Sequence, residues 1–212
     1  MKKRVIAACH AIEKELQYVM KIENCTDPVH LLDQCLHSDP KEMNAYLQDW
    51  INSLEDVDQI LLCVSGCGGS TMGLKATTAE LVIPLTQDCI DILLSDGKVE
   101  NIERANDGIF LTEGWMEFIK KSPMDMQLLI DELGQEKAEE RLKWIYENYK
   151  HFYIIDTGSY DISVVENYLA PLVELVDGVV EVIPGKYEIL HKLVRGDFDD
   201  DFQVVEKGGT AQ

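Results

Sequence analysis

The chain of 212 residues has little positive charge. It contains 19 lysines and arginines against 39 aspartates and glutamates, which gives a formal net charge of −20. Because so acidic a surface repels phosphate backbones and anionic lipid headgroups, we expect neither nucleic acid nor a membrane surface as a partner. The hydrophobic fraction of 46% is typical of a globular protein. The chain is therefore expected to be folded and to bury a substantial core.

Long apolar runs are also missing. No stretch approaches the roughly 18 consecutive apolar residues of a membrane-spanning helix. The run Val5–Cys9 is too short for the core of a signal peptide. The chain has no Cys-x-x-Cys pair and no cysteine after Cys89, so its six cysteines do not resemble a disulfide scaffold. We therefore expect a cytoplasmic protein with reduced thiols.

Short apolar runs alternate with segments of helical periodicity. The runs predict strands at residues 5–9, 59–65, 81–85, 108–112, 151–155, 179–183 and 202–205. The periodicity predicts helices at 11–22, 41–54, 89–94, 115–121, 124–149 with a break at Gly134, 163–176 and 187–194. Residues 24–40 contain turn formers and a short apolar patch, Leu31-Leu32.

This alternation predicts an α/β fold with a mostly parallel, Rossmann-like sheet and helices on both faces. We interpret residues 1–212 as a single α/β domain. The polar stretch 96–107 is the candidate seam if the domain has two lobes.

Three cysteines follow three successive strands in the predicted order. Cys9 closes the first strand, Cys67 lies in the turn after the second, and Cys89 follows the third at the start of a helix. The carboxyl ends of parallel strands meet at one edge of a sheet, where ligands bind, so we expect these thiols to lie close together. Nearby helix N-termini favour the thiolate form. Three thiolates repel one another unless they share a cation.

The predicted cofactor is therefore a zinc ion or an iron–sulfur cluster held by these three cysteines. The fourth position is either open to substrate or water, or filled by His10. A bland alternative is that the cysteines only fill space, since free cysteine is often buried. That interpretation is the one we expect to apply to Cys25, Cys35 and Cys63.

The turn around Cys67 is rich in glycine, with Gly66, Gly68 and Gly69 beside the cysteine. Its backbone N–H groups could cradle an anion. The turn nevertheless lacks both the P-loop and the dinucleotide-binding fingerprints. The alternative is a tight strand-to-helix turn that requires positive φ. Lys75 is the one basic residue between Gly66 and Cys89, which favours a cationic ligand over an anionic one.

Further polar and aromatic residues stand at predicted strand ends. The candidates for ligand contact are Glu113, Trp115, Asp156, Thr157 and Gly158. Asp156 could instead cap the next helix, which is the commoner role of such a residue. The run Asp199-Asp200-Asp201 lacks the spacing of a calcium loop, so we expect a solvated turn there.

At these residues the chain resembles the family catalogued as domain of unknown function 1638. The resemblance rests on segments in matching order across nearly the whole chain: Ala8-Cys9, Gly66-Cys67-Gly68, Val82-Ile83-Pro84, Asp88-Cys89-Ile90, residues 111–115, residues 155–158 and residues 200–205. Two departures are Gln87, where the family usually has histidine, and Gly69-Ser70-Thr71 after the central cysteine. The departure at position 87 leaves no basis for a role of that side chain, whereas all three cysteines are retained.

The resemblance implies no settled activity. It does imply a link to corrinoid proteins and methyltransferases of anaerobes, and hence to one-carbon metabolism. Three hypotheses remain open. The first is a three-cysteine metal or cofactor site that transfers methyl groups or electrons. The second is a metal-free enzyme with Cys67 as nucleophile, for which the sequence offers no convincing histidine base. The third is a non-catalytic accessory module that selects a basic partner, such as a corrinoid protein, by charge.

Overall fold

The computed structural model describes residues 2–64 and 66–212. Ser65, the last residue of the predicted second strand, lies outside the described residues. The strands are β1 (Arg4–Cys9), β2 (Val29–Leu32), β3 (Gln59–Cys63), β4 (Glu80–Pro84), β5 (Gly108–Leu111), β6 (His151–Asp156), β7 (Val179–Pro184) and β8 (Phe202–Val205). The helices are α1 (Glu13–Ile22), α2 (Pro40–Ser53), α3 (Cys89–Leu94), α4 (Glu113–Ile119), α5 (Met126–Leu133), α6 (Gln135–Ile145), α7 (Ile162–Leu175) and α8 (Glu188–Arg195).

The chain divides into two compact units. The first comprises residues 1–102 and 186–212, and the second comprises residues 103–185. The division after Ile102 falls within the polar stretch 96–107. Both units are built from strands and helices with mostly parallel pairing, so the predicted α/β class is confirmed.

The first unit contains a five-stranded sheet in the order β2-β1-β3-β4-β8. The pairs β1–β2, β1–β3 and β3–β4 are parallel, whereas β8 pairs antiparallel with β4. Every residue of β3 is buried, as expected of a central strand covered on both faces. Alternate side chains such as Val5, Ala7 and Leu62 share a core with Met43 and Leu47 of α2. This core holds the carboxyl ends of β1, β3 and β4 in place.

The strand β2 was not predicted. Its sequence, Val29-His30-Leu31-Leu32, is short and contains a histidine. It lies at the edge of the sheet, where pairing with β1 rather than a strong alternating pattern defines it. The edge position explains why the sequence pattern is weak, since a strand that pairs with a neighbour on one side only is less buried than a central strand.

The second unit contains a three-stranded parallel sheet in the order β5-β6-β7. Leu111, Phe152 and Ile154 of this sheet share a core with residues from α4 to α7. The predicted break at Gly134 is confirmed, because this residue, at φ 82°, separates α5 from α6.

The aspartate run 199–201 differs from the expected solvated turn. Asp201 is only 7% exposed. Its carboxylate pairs with the ammonium of Lys98 at 2.8 Å and accepts a hydrogen bond from the backbone N–H of Val99 at 2.9 Å. The carboxylate joins the segment before β8 to the start of the short 3-10 turn Val99–Asn101, which follows α3. In the part of the chain that the structure describes, no helix has the length and apolarity needed to span a membrane.

Candidate functional site

The three predicted site cysteines lie in the first unit, at the ends of three adjacent parallel strands. Cys9 is the last residue of β1, Cys67 begins a short 3-10 turn (Cys67–Gly69) after β3, and Cys89 is the first residue of α3, which follows β4. The structure brings all three thiols within electrostatic reach of one another. We call Cys9, Cys67 and Cys89 the thiol cluster.

Backbone hydrogen bonds fasten the turn of Cys67 to the segment before Cys89. The N–H of Gly66 donates to the carbonyl of Thr86 at 3.1 Å, and the N–H of Cys67 donates to that of Gln87 at 2.8 Å. The buried carboxylate of Asp91 in turn accepts from the N–H of Gln87 at 3.0 Å. The two segments are therefore held side by side by main-chain bonds, whatever the side chain at position 87.

The start of α3 is fixed by a helix cap. The carboxylate of Asp88 accepts hydrogen bonds from the N–H groups of Ile90 and Asp91 at 3.0 and 3.1 Å. Such a cap satisfies donors that the first helical turn would leave free. It places Cys89, which is fully buried, at a defined point beside the turn of Cys67.

The glycine-rich turn adopts the left-handed backbone that its composition predicts. The φ angles are 31° at Cys67, 68° at Gly68 and 90° at Gly69. A Cβ atom on Gly68 would lie 2.8 Å from Cγ of Pro40, so the turn packs tightly against the start of α2. Asn44 of α2 donates through its amide to the carbonyls of Ser70 and Met72, at 2.8 and 2.9 Å.

The N–H groups of this turn are largely committed to the fold. Those of Gly66 and Cys67 donate to the β4–α3 segment, and those of Gly69 and Ser70 donate to the carbonyl of Gly66 at 2.7 and 2.8 Å. These four donors are therefore not available to an anion or to a developing oxyanion. The geometry agrees with the tight-turn interpretation of the sequence.

The thiol of Cys67 is hydrogen-bonded to the main chain. It donates to the carbonyl of Val64 at 2.7 Å. The pKa of Cys67 is lowered by hydrogen bonding from Cys89, against the opposing effects of burial and of the Asp88 charge.

The other two thiols of the cluster do not behave as the helix-terminus argument predicts. Burial raises the pKa of Cys9 to about 11, with a further contribution from Cys67. The hydrogen bond to Cys67, followed by burial, raises the pKa of Cys89 well above its usual range. Desolvation of a thiolate in a closed apolar setting outweighs the field of a short helix. The prediction that all three sites favour thiolate is therefore wrong for Cys9 and Cys89.

The remaining cysteines separate into one buried and two peripheral residues. Cys63 is fully buried in β3, and burial, followed by the nearby Cys9 and Cys67, raises its pKa. Cys25 donates to the Asp27 carboxylate at 3.2 Å and receives a contact from the Arg4 guanidinium at 3.8 Å. Cys35 is exposed.

His10, the proposed fourth ligand, pairs instead with a neighbouring carboxylate. Its Nδ1 lies 3.0 Å from Oε2 of Glu13. Across residues 2–64 and 66–212, no three His, Cys, Asp or Glu side chains form a group arranged to hold a metal ion. Ligation of a metal by the thiol cluster therefore stays a prediction.

A histidine that the sequence did not single out approaches the site. His37 lies in the 3-10 turn Gln34–Ser38 between β2 and α2. Its pKa is lowered by burial and partly restored by the charge of Asp88, the residue that caps α3. His37 was missed because the unpredicted strand β2 is what brings this turn to the sheet edge.

The sequence model of the family described as protein of unknown function (DUF1638) matches residues 31–194. The chain belongs to the DUF1638 family. The matched region contains Cys67 and Cys89, whereas Cys9 precedes it. No curated protein and no solved structure gives a significant match.

The second unit of this DUF1638 protein holds the other predicted contact residues. Thr112 caps α4 by accepting from the N–H of Trp115 at 3.3 Å, and Glu113 is the first residue of that helix. Trp115 packs edge-on against Phe118 at 5.4 Å between ring centroids.

The end of β6 in the same unit forms a local turn. Asp156 accepts from the N–H of Gly158 at 3.0 Å, and the hydroxyl of Thr157 bonds to that of Ser159 at 2.8 Å. The alternative that Asp156 caps the next helix is wrong, because α7 begins at Ile162 and is capped by Asp161. A role of Glu113, Trp115, Asp156, Thr157 or Gly158 in binding stays a prediction.

Proposed function

We propose that this DUF1638 protein is a thiol-dependent protein whose Cys9, Cys67 and Cys89 bind a soft metal centre, either a zinc ion or an iron–sulfur cluster. The observation that supports the proposal is the placement of three thiols at or just after the carboxyl ends of three neighbouring parallel strands, where they interact electrostatically. Thiolate sulfur is the ligand that these centres prefer.

The raised pKa values of Cys9 and Cys89 mean that their thiolate forms require stabilisation by a cation. Burial raises the pKa of Cys9, and hydrogen bonding with Cys67 followed by burial raises that of Cys89, so both thiols are protonated on their own. Cys9, Cys67 and Cys89 would hold the metal as thiolates, so that binding would be coupled to the release of their protons. To ligate, the thiol of Cys67 would lose its proton and with it the hydrogen bond to the carbonyl of Val64.

Three protein thiolates leave one position of a tetrahedral centre for water, substrate or His10. An open position is typical of a catalytic rather than a structural metal site. A link to corrinoid-dependent one-carbon transfer, and the role of an accessory module for a corrinoid protein, stay predictions that rest on the family resemblance and on the acidic surface.

Metal analysis of anaerobically purified protein tests the proposal. We expect close to one metal ion or one cluster per chain after purification or reconstitution, and near-complete loss in Cys67→Ser. The matched control is Cys35→Ser, which removes an exposed cysteine outside the cluster and should retain the metal. A wild-type protein that remains metal-free after reconstitution with both zinc and iron plus sulfide contradicts the proposal.

A metal-free nucleophile at Cys67 is the second candidate, because one observation favours it. Cys67 is half-buried and has a lowered pKa, whereas Cys9, Cys63 and Cys89 are buried with raised pKa values. Thiolate character and access together decide which cysteine reacts.

Alkylation kinetics on metal-free protein test this candidate. Iodoacetamide should modify Cys67 faster than Cys35 at neutral pH, although Cys35 is the more exposed thiol and its pKa is raised by Asp33. Peptide mapping gives the rate at each site. Slower labelling of Cys67 than of Cys35 contradicts the reactive-thiol candidate.

A further inference from the structure

The strand β7 is an open edge of the sheet in the second unit. It pairs in parallel with β6 and is the last strand in the order β5-β6-β7. The N–H of Val179 donates to the carbonyl of Lys150 at 2.7 Å, which turns the main chain of Val179 towards β6. Because successive residues of a strand direct their main-chain groups to opposite edges, the N–H and C=O groups of Val180 and Val182 point away from β6.

The apolar side chains of this edge strand are exposed. Val179 is 55% exposed and Val182 is 44% exposed. An exposed apolar edge is a template for pairing with another chain. Pro184 ends β7 and has no N–H to donate, so the segment that can pair is short and centres on the outward groups of Val180 and Val182.

A groove of about 460 Å³ runs beside this edge, between α7 and β7. Ala170 and Val173 of α7 and Val180 of β7 give it apolar walls. Val182 lies on the same face of β7 as Val180, because side chains alternate along a strand. Apolar side chains of an added strand would therefore pack into this groove.

The groove and its surroundings are acidic. The carboxylates that line the groove are those of Glu166, Glu174 and Asp177. Glu181 is exposed on the opposite face of β7. Residues 152–185 include six aspartates and glutamates and no lysine, arginine or histidine. The one ammonium group seen at the end of α7 in the described part of the chain is that of Lys150, which donates to the carbonyl of Val176. The charge of this edge therefore favours a cationic partner.

A second copy of this chain does not match the edge. Each copy carries a formal net charge of −20. Antiparallel pairing that uses Val180 and Val182 of both copies places Glu181 directly opposite its own counterpart. Like charges opposite each other destabilise paired strands.

We propose that β7 and the groove beside it bind an extended segment of a basic partner protein, which adds a strand to the sheet. The segment alternates apolar residues with lysine or arginine. Its apolar side chains fill the groove, its basic side chains reach Glu181 on the opposite face, and its main chain bonds to Val180 and Val182. The surface lies within the second unit and does not depend on the thiol cluster.

Peptide binding to the full-length protein tests the surface. The probe is a fluorescein-labelled peptide in which lysine and valine alternate, and fluorescence anisotropy measures its Kd at low salt. We expect saturable binding that weakens as salt is added. A peptide of the same composition, with all lysines in one block and all valines in the other, should bind about tenfold more weakly because it cannot present separate apolar and basic faces.

Charge reversal locates the site. Glu174→Lys in the groove and Glu181→Lys on β7 should each raise the Kd about tenfold, because a lysine of the probe then meets a like charge. The matched control is Asp49→Lys, which makes the same change of net charge at an exposed position of α2 in the first unit and should leave the Kd close to that of wild type. Circular dichroism verifies that each variant is folded.

Amide hydrogen exchange, followed by NMR on the wild-type protein, tests whether the peptide pairs with the main chain. The N–H groups of Val180 and Val182 should exchange at least about tenfold more slowly when the peptide is bound. The N–H of Val179 already donates to Lys150 and should change little.

Four results overturn the proposal. They are no binding at low salt, equal binding of the alternating and block peptides, equal effects of Glu174→Lys and Asp49→Lys, and binding without added protection at Val180 and Val182. A wild-type dimer in sedimentation, with these two amides protected in the absence of peptide, would show that a second copy occupies the edge. Metal content is not part of this test, so its failure leaves the proposal for the thiol cluster unaffected.

Discussion

The two units use the same topological position in different ways. In the second unit, the side chains at the ends of β5 and β6 bond within their own turn or helix start: Thr112 to Trp115, and Asp156 to Gly158. In the first unit, the turn of Cys67 is joined to the segment before Cys89, because the N–H of Cys67 donates to the carbonyl of Gln87 at 2.8 Å. The first unit therefore differs from the second in placing a cysteine at or just after the end of each of three neighbouring parallel strands.

Alanine substitution of two glycines with the same backbone conformation should give the largest difference between the units in the free energy of unfolding that is lost. Gly68 and Gly158 both have φ 68°, but a Cβ on Gly68 would lie 2.8 Å from Pro40, whereas nothing lies within 4 Å of one on Gly158. Gly158→Ala should cost the left-handed penalty of about 1–2 kcal/mol. Gly68→Ala should add an overpacking cost of about 1–3 kcal/mol.

Chemical denaturation of both alanine variants measures this difference in the free energy of unfolding. Equal losses in the two variants contradict the view that the turn of Cys67 is clamped against α2. The loss in Gly68→Ala should also be accompanied by altered labelling of Cys67, which Gly158→Ala should not show.

Removal of a side-chain anchor should give a smaller difference between the units in the free energy of unfolding that is lost. Asn44 bonds to two carbonyls of the cysteine turn, and Asn44→Ala should cost about 1–3 kcal/mol because those carbonyls lose their partner. The control Asp161→Ala removes the cap of α7 and should cost about 1 kcal/mol.

The rate of Cys67 alkylation distinguishes Asn44→Ala from Asp161→Ala. Asn44→Ala should change that rate, since the turn that presents the thiol loses its support, and Asp161→Ala should leave it as in wild type. An unchanged rate in a folded Asn44→Ala protein shows that the turn does not need α2.

The smallest expected effect is on pH dependence. Burial lowers the pKa of His37 below its usual value, so the unfolded chain binds more protons as the solution is acidified. Stability contributed by neutral His37 is complete above about pH 6.5 and is lost below it.

Thermal melts at about pH 7.5 and about pH 5.5 check the sign of this effect. The wild type should lose slightly more stability on acidification than His37→Gln. A larger acid loss in His37→Gln than in wild type reverses the predicted sign.

The sequence allowed the fold class to be predicted, and the positions of three cysteines at or near the ends of neighbouring strands, because buried parallel strands appear as continuous apolar runs. Gln59–Cys63 shows this most clearly. The edge strand Val29–Leu32 was not predicted, because it is defined by its pairing with β1 rather than by its own sequence pattern. The position of His37, in the turn that follows this strand, was not predicted for the same reason.

The protonation of the cysteines could not be predicted for a related reason. Helix starts are visible in sequence, but the burial that raises the pKa of Cys9 and Cys89 depends on residues distant in the chain. The burial of Asp201 could not be predicted either, because its ion-pair partner Lys98 is about half the chain away in sequence.

The most direct test of the account is X-ray absorption at the metal edge of the anaerobically loaded protein. We predict a first shell dominated by sulfur at about 2.3 Å, with fewer sulfur neighbours in Cys9→Ser. A shell of nitrogen and oxygen alone, or a sulfur shell unchanged in folded Cys9→Ser and Cys67→Ser proteins, would contradict a centre shared by Cys9, Cys67 and Cys89.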